Sequence, residues 1–256
     1  MSLPLRIALS LLSRPQVHRF GPDRSQCAEL HLPRGTGPHP VVVVLHGGYW
    51  QTRYGKLVCR PLACDLARRG YAAWNLEYRR LGDGRGGGGG WPMTFKDVAD
   101  GIDALAGVSA PLDLSRVSLV GHSAGGQLAL WAASRPTLPL EAVGSAPKVV
   151  ATRVVALAPV TDLARARVHA EQLLGGAVEQ VADRWQQADP VRAGAPGVPV
   201  LVVHPTHDQT VPVARSRTYA AATGCTLVET AGSHRDPIDP SSEAWAAAVD
   251  WLGPAG

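Results

Sequence analysis

Lysine is nearly missing from this 256-residue chain: Lys56, Lys96 and Lys148 are the only three among its 25 basic residues. The arginines that replace it stand mostly as single residues in Ala-, Gly- and Pro-rich stretches. No basic run tracks phosphates, so the formal charge of +4 reads as solvated surface and no nucleic-acid partner is expected. Cysteine is scarce as well. Cys27, Cys59, Cys64 and Cys225 have neither Cys-x-x-Cys nor zinc-finger spacing, which points to reduced, packed thiols and no metal site. No apolar run approaches the roughly 20 residues that a bilayer crossing takes. The opening MSLPLRIALSLLSRP is broken by Arg6 and lacks a small-x-small cleavage site before Pro15, a poor secretion signal. A soluble, cytoplasmic protein that does not bind membranes is the expectation.

What the chain does have is a 45% apolar composition, enough for one substantial core spanning residues 1–256. Short β-rich runs alternate with helix-length segments. Strands are predicted at residues 26–32, 41–46, 72–78, 116–121, 153–159, 198–204 and 225–230, and several are unbroken Val/Leu runs of the kind covered on both faces. Residues 16–21 should pair with 26–32 as an antiparallel edge hairpin. Helices are predicted at 55–70, 94–107, 124–134 and 241–253, with Gly70 and Gly253 as stops and Ser241 or Ser242 as the last N-cap. The alternation predicts an α/β fold, a mostly parallel sheet of about eight strands with helices on both faces. Two segments break the rhythm. Residues 81–92 hold five consecutive glycines and read as a mobile loop. Residues 160–193 carry one and a half weak helices, about right for a small lid-like insertion.

The stretch LVGHSAGGQLALWAA, residues 119–133, sets Ser123 between Gly121 and Gly125 where a buried strand gives way to a helix. A Gly-x-Ser-x-Gly pentad by itself is weak evidence. Its context supplies the rest: a sharp turn leaves no room for Cβ atoms at the glycines and lifts the serine Oγ clear of the sheet. A serine N-cap would explain the helix start but not glycines on both sides. A nucleophilic serine needs a base and the base an orienting acid. Asp208 follows the next-to-last predicted strand and His234 the last, so both loops open on the edge where the Ser123 corner lies. Asp236 and Asp239 are rival acids, but each precedes a proline and suits turn work. His204 and His207, flanking the acid loop, read as structural hydrogen-bonders. Glu77, after a central strand, could support the nucleophile turn from below; its role stays open.

Directly after the most apolar strand comes LHGGYWQ, residues 45–51. Two glycines free their N–H groups, making Gly48 and Tyr49, together with Ala124, the expected oxyanion donors. Trp50, Trp91 and Trp185 fall in loops or in the insertion and are candidate substrate contacts. Taken together, His46-Gly47-Gly48-Tyr49-Trp50, the GHSAGG corner, the acid loop and the late histidine resemble the α/β-hydrolase superfamily, esterase/lipase branch. HGGYW is also similar to the His-Gly-Gly-x-Trp motif of kynurenine formamidases (arylformamidases). The resemblance covers nearly the whole chain from residue 16. It implies Ser123 as nucleophile, His234 as general base, Asp208 as orienting acid and no cofactor. Arg235 departs from it, since an apolar or aromatic residue commonly follows the histidine. Three functions are carried forward: a carboxylesterase for small or medium esters, an arylformamidase-type amide hydrolase, and a catalytically silent binding protein on the same scaffold. Oligomeric state is not legible.

Overall fold

Four valines in a row, residues 41–44, stand in a sheet covered on both faces. Val41 and Val43 pack into one apolar layer and Val42 and Val44 into the other. A strand that alternates its side chains between two cores has no use for polar residues, hence the unbroken run. The computed structural model describes residues 3–255. Its strands are β1 (Gln16–Arg19), β2 (Cys27–His31), β3 (His39–Leu45), β4 (Ala72–Leu76), β5 (Leu112–His122), β6 (Arg153–Leu157), β7 (Val200–Pro205) and β8 (Thr226–Thr230). They form one sheet in the order β1-β2-β4-β3-β5-β6-β7-β8. β1 and β2 make the antiparallel hairpin, β2 meets β4 antiparallel, and every pairing from β4 to β8 is parallel. This is the predicted α/β-hydrolase architecture.

The helices are α1 (Leu3–Ser10), α2 (Arg60–Arg68), α3 (Met93–Asp103), α4 (Ala124–Ala133), α5 (Arg167–Leu174), α6 (Ala182–Ala188), α7 (Pro190–Ala193), α8 (Ala214–Thr223) and α9 (Glu243–Leu252). Side chains of α2 and α9 pack on one face of the sheet; α3, α4, α5 and α6 cover the other. Ser242 caps α9 by accepting from the Trp245 amide, and Gly70 and Gly253 take positive φ just past their helices. Two helices escape the sequence pattern. α1 lies where only a weak secretion signal was read, and α8 has polar and apolar residues with no clear facing stripe.

The glycine-rich segment differs from its expectation. Instead of hanging free, it wraps Arg80: the Arg80 amide donates to Gly86 O and the Gly89 amide to Arg80 O, both at 2.8 Å. A Cβ on Gly86 would overlap the Arg80 guanidinium, and one on Gly89 would press into the backbone of Arg79 and Arg80. Gly86 and Gly89 answer a demand for close approach, whereas Gly84 and Gly88 face open space and serve their positive φ.

Because β3 to β8 run parallel, the segments that leave their C-terminal ends share one edge of the sheet. Those segments carry the 46–51 loop after β3, Glu77 after β4, Ser123 after β5, Asp208 after β7 and His234 after β8.

Candidate active site

Ser123 sits in a backbone conformation that L-residues rarely adopt, φ 54° and ψ −117°, which costs of order 1–3 kcal/mol in general. Its neighbours impose it. The Ser123 amide donates to Leu157 O at the end of β6 (2.9 Å), and its carbonyl accepts from Gly126 (3.0 Å) and Val160 (3.2 Å). The flanking glycines are steric necessities. A Cβ on Gly121 would overlap the Gly125 carbonyl, and one on Gly125 would overlap the carbonyls of Leu45 and His46. Helix α4 and the end of β3 therefore touch backbone to backbone, and this contact brings the 46–51 loop beside Ser123.

Ser123 Oγ lies 2.9 Å from His234 Nε2, and His234 Nδ1 lies 2.6 Å from Asp208 Oδ2. Nδ1–H donates to the carboxylate, which leaves Nε2 bare to accept the serine proton. Asp208 Oδ1 takes two more donors, the amides of Thr210 and Val211, each at 2.8 Å. Burial alone would push the Asp208 carboxyl up. Hydrogen bonds from His204, His234 and Val211 overcome that and hold it well below the usual carboxylate range, so it stays ionised beneath the imidazole.

The rival groups have other work. Asp236 caps a turn by accepting from the Ser233 amide (2.8 Å) and hydroxyl (3.1 Å), and Asp239 pairs with Arg6 at 2.8 Å. His204 is a buried hydrogen-bonder: Nε2 contacts Val211 O at 2.8 Å and Asp208 Oδ2 at 3.2 Å, and Nδ1 meets Ser216 Oγ. The ring of His207 is exposed; only its amide is engaged, with Gly232 O. Glu77 lies on the other side of β3 from the nucleophile, because β4 and β5 flank β3 in the sheet. It supports the 46–51 loop, through His46, rather than the serine turn. Its carboxylate accepts from His46 Nε2 (2.8 Å), from Arg80 and from the Lys56 amide (3.1 Å). Burial opposes its ionisation, yet His46 and Arg80 bring its pKa down to about 2.

Gly48, Tyr49 and Trp50 turn the chain sharply, with φ of 117°, 56° and 56°. A Cβ on Gly47 would sit 2.7 Å from His122 O and 2.9 Å from Ser123 Cβ, so this loop lies against the nucleophile corner. The amides of Gly48, Tyr49 and Ala124, the expected oxyanion donors, have no acceptor among the described residues. Stacked on Tyr78 at 4.4 Å, His46 braces the loop from below, and Tyr78 Oη donates to His46 O.

Two cavities open on Ser123. The larger, about 500 Å³, is walled by Leu3, Pro4 and Ile7 of α1, which the sequence reading missed; the i,i+4 pair Leu3 and Ile7 was its one local sign. The smaller, about 190 Å³, is lined by Tyr49, Trp50, Ala124 and the start of the 160–193 insertion, including Arg165 and His169. The tryptophan expectations need correction. Trp50 borders the smaller cavity but is 2% exposed and donates to Gln127 Oε1, so it mainly anchors the loop. Trp91 packs on Phe95 and lines neither cavity. Trp185 is buried in the main core, donates to Gly176 O and also lines neither. An indole on a short amphipathic helix has a core to fill, and that use outcompetes a pocket wall. Gln127 and His122 are positioning residues that sequence reasoning missed. Gln127 ties Trp50 to Ala188 O of the insertion; His122 Nε2–H donates to His234 O at 2.8 Å. Burial, then repulsion from His234, pushes the His122 ring down to about 3, so it stays neutral. No cluster of three or more His, Cys, Asp or Glu suited to a metal ion occurs among the described residues, and no helix there is long and apolar enough to cross a membrane.

Comparison with known proteins agrees with this architecture. The chain is 28% identical over 200 residues to the probable carboxylic ester hydrolase LipM of Mycobacterium tuberculosis, a match covering 71% of this chain and 44% of that one. It thus spans less than half the length of that relative. A truncated carbohydrate esterase from gut microbiota superposes with a TM-score of 0.77 at 17% identity, covering 94% of this chain and 95% of that one. Butyrate-bound Est2, an esterase of Thermogutta terrifontis, superposes at 0.73 with 20% identity and 93% coverage of each. Both are likenesses of fold. Residues 29–222 match the family model described as BD-FAE, a span that runs from β2 into α8 and takes in the oxyanion loop, Ser123 and Asp208. With three quarters of its length inside that match, the chain belongs to the BD-FAE family.

Proposed function

We propose that this protein is a serine hydrolase that cleaves carboxylic esters of small to medium size through an acyl-enzyme. The observation that carries the reading is the continuous relay from Ser123 Oγ through His234 to Asp208, at 2.9 and 2.6 Å, beside three unengaged amides. The name of the mycobacterial relative supports the same reaction. His234 Nε2 takes the Ser123 proton as Oγ attacks the ester carbonyl carbon. The amides of Gly48, Tyr49 and Ala124 hold the oxygen as it becomes negative. The imidazolium, steadied by Asp208, then gives its proton to the departing alcohol. Water attacks the acyl-enzyme by the same relay and frees Ser123. The start of the lid-like segment 160–193, through Val160, Arg165, Ala166 and His169, walls the smaller cavity. The cytoplasm suits a chain whose four cysteines are all free thiols.

A second reading, an arylformamidase-type amide hydrolase, is favoured by the HGGYW loop, whose geometry serves a formamide as well as an ester. Turnover of N-formylkynurenine faster than of short acyl esters would select it. For either substrate, Ser123→Ala lowers kcat by roughly 10⁴-fold or more, and Asp208→Asn by about 10⁴-fold. p-Nitrophenyl butyrate assays check both variants; near wild-type turnover by Ser123→Ala sinks the proposal and favours a silent binding scaffold.

A further inference from the structure

The larger cavity holds an imbalance of charge that the reaction itself does not use. Arg53 and Arg235 both line it alongside Ser123 and His234. Neither guanidinium has a carboxylate partner among the described residues. Arg53 lies over the rings of Tyr54 (5.0 Å) and Tyr49 (6.0 Å), contacts that hold a cation at the wall without neutralising it. Arg235, exposed like Arg53, makes no side-chain hydrogen bond or ion pair among the described residues. The acids on the same cavity are already committed, Asp239 to Arg6 and Asp236 to the Ser233 turn. The more buried arginines of this protein are treated differently: Arg79 pairs with Asp97, Arg80 with Glu77 and Arg135 with Asp103. On the wall of this cavity two guanidiniums are left without a carboxylate.

With Arg6 and Asp239 cancelling, Arg53, Arg235 and Asp236 leave one net positive charge. Leu3, Ile7, Val58 and Ile238 give the same wall an apolar portion. A flat guanidinium matches a carboxylate by paired N–H donors, and a single negative charge balances the site. We infer that the larger cavity is an anion subsite, and that the ester this enzyme cleaves carries a carboxylate, joined to an apolar segment, on the half seated there. The inference rests on the esterase reading but is separable from it by experiment.

Two matched pairs test it by pH-stat: methyl butyrate against monomethyl glutarate, with the carboxylate on the acyl side, and phenyl acetate against 4-acetoxybenzoate, with it on the leaving side. In one pair the charged ester has the higher kcat/KM. That charged-to-neutral ratio falls about tenfold in Arg53→Gln and in Arg235→Gln, and shrinks in added KCl. Preference for the neutral ester in both pairs, or ratios unmoved by either variant, overturns the subsite and leaves ester hydrolysis standing. A readout free of turnover covers failure of the esterase reading. Calorimetry on Ser123→Ala compares 4-phenylbutyrate with 4-phenylbutyramide. Tighter binding of the carboxylate, lost in Arg53→Gln, supports the subsite; equal binding of the two contradicts it.

Discussion

At the scale of single residues, the proposed chemistry depends on how firmly three side chains and three amides are held. Ser123 is fixed by its strained backbone, Asp208 by four donors, and His234 partly by a residue with no chemistry of its own. His122 fixes the backbone of His234 through one hydrogen bond, and burial keeps its ring neutral down to about pH 3. His122→Phe removes that donor. It is expected to lower kcat about tenfold with KM little changed, as losses of a supporting hydrogen bond commonly do. His122→Gln, whose amide can still donate, recovers part of the loss. Steady-state kinetics on both variants checks this, and equal effects would make His122 a packing residue only. The meeting of Ser123, His234 and Asp208 was legible in the sequence because each follows a recognisable strand. His122 and Gln127 were not, since their roles come from partners 112 and 61 residues away.

At the scale of elements, the glycine run and the insertion both turn on burial. Gly84 faces open space and pays only for its positive φ, so Gly84→Ala should cost about 1 kcal/mol. Gly89 sits against the Arg79–Arg80 backbone, and Gly89→Ala should cost at least 1–3 kcal/mol by overpacking. Denaturant melts of the two variants decide it; equal losses would restore the mobile-loop picture. In residues 160–193, Asp189 at the start of α7 accepts from the Leu163 amide at 3.0 Å, while its other oxygen makes no hydrogen bond among the described residues and has only Arg192 Nε at 3.3 Å as an ion-pair partner. Burial raises its pKa from 3.8 to about 6. A raised folded-state value means that its stabilising contribution is full below 3.8 and is lost as pH climbs through 6. Asp189→Asn keeps the acceptor and drops the charge. The variant should therefore be more stable than wild type above pH 6, by up to about 3 kcal/mol, with the gain vanishing in acid. Thermal melts against pH test the sign. α1 was illegible at this scale because its apolar residues serve a cavity wall as well as a core, leaving Leu5 and Leu9 half exposed. The Gly run was misread because composition alone does not tell slack from close contact.

For the whole molecule, the parallel strands do the assembling. Continuous Val/Leu runs require layers on both faces, those layers require crossover helices, and right-handed crossovers bring successive strand ends to one edge. The sequence pattern therefore carried the architecture and the location of the site, while the cavity walls, made by α1 and by the start of the insertion, came only from packing. The central claim is that Ser123 is the activated nucleophile of this edge. Its most direct test is mass spectrometry of the intact, folded protein after a fluorophosphonate probe. The account predicts one adduct, mapped to the peptide containing Ser123, absent in Ser123→Ala and strongly slowed in His234→Gln. An unlabelled Ser123 in a folded protein, or an adduct carried by another residue, would contradict it.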